Sequence, residues 1–158
     1  MKIKILFAGL LVSISLMTFA QSQKIENKEV MIENQSQYNF DETVDILSKQ
    51  IVEHGWKITA THDLQETMKK NGKEVLSVKV IELCNPGHAF NILSKDDLLN
   101  VSPMLPCRIS VYEKTDGKTY ISRMNAPAFA EMIGGDGAYT MVAAFNETEE
   151  LLLKVILE

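Results

Sequence analysis

An α+β domain with a mainly antiparallel sheet, short helical inserts and a long C-terminal helix is the fold this sequence predicts, and three observations carry the prediction. Of its 158 residues, 46% are hydrophobic and 23% charged, the balance of one ordinary globular core. Apolar stripes at helical spacing stand near both ends, at Val44, Leu47, Ile51 and Val52 and again at Met141, Val142, Phe145, Leu152, Val155 and Ile156. Between them lie consecutive β-rich runs, two of them joined by the tight turn Asp116-Gly117, and strands joined in this way pair antiparallel.

Lys2 and Lys4 open a segment that is apolar over residues 5–17, and Thr18-Phe19-Ala20 offers small residues for cleavage before Gln21. Residues 1–20 therefore read as a signal peptide. Its apolar part is too short to cross a bilayer as a helix, so no transmembrane anchor is expected and the mature protein is placed in the periplasm or outside the cell. Residues 21–37 form a flexible polar leader with an edge strand at Val30-Met31-Ile32, and residues 38–158 form a single α+β domain.

Within that domain, Asn39 or Asp41 caps the first helix and Gly55 stops it. Residues 56–61 alternate as a strand, and residues 63–71 read as a short polar helix ended by Asn71-Gly72. A β-rich run over residues 75–83 leads into Cys84-Asn85-Pro86. There Asn85 is placed to cap a helix, with Pro86 as its first residue and Ala89, Phe90 and Leu93 following. Pro103 and Pro106 bracket a turn, after which residues 107–113 and 119–124 form a hairpin. Asn125-Ala126-Pro127 opens another short helix that Gly134-Gly135 ends. A long helix from Ala138 closes the chain, with a break expected near Asn146.

Cys84-Asn85-Pro86, followed about 20 residues later by Leu105-Pro106-Cys107 at the head of a strand and then by the Asp116-Gly117 hairpin, resembles the domain of unknown function 302 family. The likeness covers residues 38–134, and His62-Asp63 stands where that family places a histidine. It implies a β-α-β(4)-α arrangement and a homodimer, and it implies no activity. It also places the chain in a two-cysteine branch, in which Cys84 and Cys107 are an addition to the fold.

Without residues 1–20 the chain carries 14 basic and 21 acidic side chains, a formal charge of −7, so it lacks the clustered cations that a nucleic-acid backbone binder needs. Cys84 and Cys107 are its only cysteines, and an oxidising compartment favours their disulfide, which would close a loop of 24 residues worth roughly 3 kcal/mol. The alternative keeps both thiols free. Cys84 stands just before a helix start, where exposed N–H groups and the positive end of the helix favour a thiolate. With Cys107 and His88, or with His62, it would give a Cys₂His set suited to Cu(I) or Zn(II), to which Met104 or Met124 adds a thioether. No Cys-x-x-Cys or His-x-x-x-His fixes two ligands locally, and the methionines are dispersed. The acid pairs Asp96-Asp97 and Glu149-Glu150 read as solvated surface, and the glycine-rich stretch at 134–137 as a helix stop.

Three functional readings follow. The first is an exported binding module without turnover, needing no cofactor, in which a sheet face and the last helix enclose an apolar groove for a small apolar ligand. Cys84, Asn85, Pro86, Cys107 and His62 would lie at its mouth. The second is a thiol-redox or soft-metal protein holding copper or zinc through Cys84, Cys107 and His88. The third is a hydrolase with Cys84 as nucleophile and His62 as base, which requires the two side chains within hydrogen-bond reach.

Overall fold

The structure, a computed structural model, describes residues 29–156; the expected signal peptide and its cleavage point lie outside the described residues, as do residues 21–28 of the expected leader. The chain enters as strand β1 (Met31–Gln35) and continues into helix α1 (Phe40–Glu53). Asn39 starts α1 by accepting a hydrogen bond from the Glu42 N–H at 3.0 Å, and Asp41 and Glu42 favour the positive end of its first turn. Gly55, at φ +79°, turns the chain into strand β2 (Lys57–Asp63). Asp63 then accepts from the Glu66 N–H at 2.8 Å and opens helix α2 (Leu64–Lys70).

Strand β3 (Val78–Cys84) leads into helix α3 (Pro86–Leu93), and a 3₁₀ segment (Asp96–Met104) carries the chain to strand β4 (Cys107–Glu113). Strand β5 (Thr119–Met124) follows across the expected hairpin. Helices α4 (Ala126–Ile133) and α5 (Gly135–Leu152) complete the order. The sheet runs β1-β5-β4-β3-β2 with every neighbouring pair antiparallel. With α2, α3, α4 and the 3₁₀ segment taken as inserts, this is the β-α-β(4)-α order the resemblance implies.

Strand alternation puts Ile81, Leu83, Ile109, Val111 and Ile121 on one face, where they pack with Leu47 and Ile51 of α1, with Trp56, and with Leu151 and Leu152 of α5. A second cluster, Ile92, Val101, Ala126 and Met141, lies where α3, the 3₁₀ segment, α4 and the first half of α5 meet. Helix α5 belongs to both.

Local expectations fail where packing decides the outcome. Val52 is 60% exposed, and Thr43 and Gln50 take the buried positions of α1 beside Leu47 and Ile51. Thr43 is tied there by a 2.7 Å hydroxyl contact with Ser36. Val75 and Leu76 are exposed and precede β3. Helix α5 runs unbroken through Asn146, but ends before Val155 and Ile156, which leave the helix as Ile156 bridges to Ser36.

Candidate functional site

The two cysteines come from adjacent ribbons, because Cys84 ends β3, Cys107 begins β4, and the register pairs Leu83 with Cys107. They are not joined: both are free thiols, in contrast to the expected disulfide. The register supplies the reason. Residues directly opposite share a face and the next residue points away, so Cys107 joins Leu83 beneath the helices while Cys84 starts from the other face. Burial pushes the Cys107 thiol up to about 11, and the neighbouring Cys84 adds to that shift.

Asn85 caps α3 as its sequence position implies, accepting from the Gly87 N–H at 2.9 Å, and Pro86 occupies the first turn. The Asn85 amide also donates to Glu147 Oε2 at 3.2 Å. Trp56 Nε1 donates to that same oxygen at 3.2 Å, and His88 Nε2 meets Glu147 Oε1 at 2.8 Å. One carboxylate of α5 thus gathers the start of α3 and the residue before β2. Glu147 was not among the residues the sequence pointed to. The available signal was its place three residues after buried Ala144 and four before buried Leu151, on the flank of the core stripe.

Glu149 corrects the expectation of a solvated acid pair. It receives Arg123, which is only 5% exposed, through Nε at 2.7 Å and through Nη2, while Arg123 Nη1 donates to Asn34. A buried guanidinium on the core face of β5 is sustained by this carboxylate and amide together.

His62 lies apart from the rest. It sits opposite Val80, four positions before Cys84 along β3 and so about 13 Å from it along the strand. Its Nε2 is 3.3 Å from Glu82 Oε1, to which Arg108 Nε also donates at 3.0 Å. Arg108, and then His62, hold the Glu82 carboxyl below its usual range. The Cys84 and His62 pair that a hydrolase would need does not form. Among the described residues, no group of three or more His, Cys, Asp or Glu side chains is arranged to hold a metal ion. The expected copper or zinc set of Cys84, Cys107 and His88 is therefore not gathered, and His88 Nε2 is engaged by Glu147.

Beside Cys107 opens a cavity of about 250 Å³, bounded by the β4 and β5 ends of the sheet and by α3, the 3₁₀ segment and α5. Its wall is mainly apolar, with Ile92, Met104, Leu105, Met141, Ala144 and Phe145, and Cys107, His88 and Arg123 also reach it. Cys84, Asn85 and Pro86 do not line it. The hollow lies against the second cluster, between α5 and the helical inserts, with one cysteine in its wall.

Among the described residues no helix is long and apolar enough to cross a membrane. No match was found among curated proteins. A solved structure, the crystal structure of an uncharacterized conserved protein DUF302 from Bacillus stearothermophilus, shares the fold with a TM-score of 0.72 at 19% identity, covering 80% of this chain and 98% of its own. Residues 32–157 match the family described as "Domain of unknown function DUF302", and the chain belongs to that family.

Proposed function

We propose that this protein is an exported module that binds a small apolar molecule in the cavity beside Cys107, without chemical turnover. The observation that carries this reading is the cavity itself, about 250 Å³ with a mainly apolar wall. Well-packed interiors leave few voids larger than a water molecule, and an apolar cavity of about 150 Å³ already admits benzene. Export rests on the signal pattern of residues 1–20 and is checked by an intact mass beginning at Gln21. Soft-metal chemistry needs a gathered ligand set, whereas among the described residues no group of three His, Cys, Asp or Glu side chains is arranged to hold a metal ion and His88 Nε2 is engaged by Glu147, which favours the binding reading.

Toluene titration followed by methyl NMR tests the proposal. Saturable shifts are expected at Met104 and Met141 but not at Leu47 or Ile51 in the other cluster, and Ala144→Phe, which fills the space, should abolish them. Absence of saturable shifts in the unmodified protein would remove the reading.

A further inference from the structure

We infer that the cavity selects uncharged apolar molecules, and that Glu149, which does not line it, sets this selectivity by neutralising Arg123. The inference rests on the binding reading above and names the class of ligand. Three basic side chains border the space, and each already has a carboxylate. Arg123 is held by Glu149 and Asn34, His88 meets Glu147 at 2.8 Å, and Arg108 meets Glu82 at 3.0 Å. The bordering hydroxyls are engaged too: Thr140 donates to the Asp136 carbonyl at 2.9 Å and Thr148 to the Phe145 carbonyl at 2.7 Å. Cys107, with its pKa raised to about 11, adds no charge.

A carboxylate or an ammonium entering this space would lose its hydration and meet no unpaired charge in return. An uncharged molecule of the same length loses far less. Arg123 is the one cation that is both deep in the wall and paired in bidentate fashion, at 5% exposure, so the charge of the cavity depends most on Glu149. Removing that carboxylate's charge while keeping its shape would leave a buried guanidinium facing the ligand.

The test measures 1-hexanol, hexanoate and hexylammonium binding at neutral pH by displacement of toluene, on the unmodified protein and on Glu149→Gln. In the unmodified protein hexanol should bind at least about tenfold more tightly than either ion. In Glu149→Gln the hexanoate affinity should rise relative to hexanol by about tenfold, with hexylammonium still excluded. Equal binding of hexanoate and hexanol by the unmodified protein overturns the selectivity, and this comparison stands even if the variant does not fold. An unchanged ratio in a folded Glu149→Gln overturns the role of Glu149. If neither toluene nor hexanol binds, the cavity reading itself fails, an outcome distinct from binding without selectivity.

Discussion

Glu147 accepts from Trp56, Asn85 and His88, residues 59 to 91 positions away along the chain, so its role exists only once the chain has folded. Glu147→Ala leaves the Nε1–H of Trp56, itself only 2% exposed, without its acceptor, and should cost about 1–3 kcal/mol in urea unfolding. Glu147→Gln, which keeps an acceptor oxygen, should recover most of that loss. Cys107 makes a second prediction at this scale. Its folded pKa, about 11, exceeds its ordinary 9.0, so its contribution to stability is whole below pH 9 and is lost as pH rises through 11. Unfolding measured across that window should show on the order of 2–3 kcal/mol of alkaline loss that Cys107→Ala lacks. Tyr112, pushed up to about 12 by burial and by its bond to Glu33, adds its own loss about one pH unit later in both proteins. Asn85 and Pro86 were legible as cap and first turn, because capping is local. Arg123, Glu147 and Glu149 were not, because nothing within a few residues of each announces its partner.

Among the elements, α4 and α5 meet at Gly134, whose φ of +68° and ψ of 170° fall in a region that is essentially glycine-only. The Gly134-Gly135 stop is therefore a joint that lets α5 turn and pack beside α4. Gly134→Ala should destabilise the protein by about 1–3 kcal/mol, measured by thermal or urea unfolding, although a Cβ there would meet nothing within 4 Å. A loss much smaller than this would show that the joint relaxes without strain. The expected break near Asn146 does not occur, because Met141, Ala144, Thr148, Leu151 and Leu152 bury a continuous face of α5. That burial outweighs the modest helix propensity of one asparagine. Conversely, Val75 and Leu76 look like strand residues but lie before the register of β3 with its neighbours begins, and they stay exposed.

At the scale of the whole molecule, two clusters divide the work. One lies between the sheet and the helices α1 and α5, and the other lies among the inserts beside the cavity. Leu47, at 0% exposure in the first cluster, should cost about 2–5 kcal/mol as Leu47→Ala while leaving toluene affinity unchanged in the folded protein. Ile92 lines the cavity at 1% exposure, and Ile92→Ala should enlarge the space and shift binding towards bulkier apolar probes such as naphthalene. Parallel unfolding and titration of the two variants checks the division, and equal effects on affinity would refute it. Strand and helix periods, caps and the Asp116-Gly117 turn are written in short stretches of sequence. By themselves they determined an antiparallel α+β domain and the placing of Cys84 and Cys107 at neighbouring strand ends. Tertiary structure alone decided that the two thiols stay unjoined, that Glu147 and Glu149 anchor buried donors, and that the cavity opens between α5 and the inserts. Register and cross-chain packing depend on all the elements at once, whereas a cap or a turn depends on four residues.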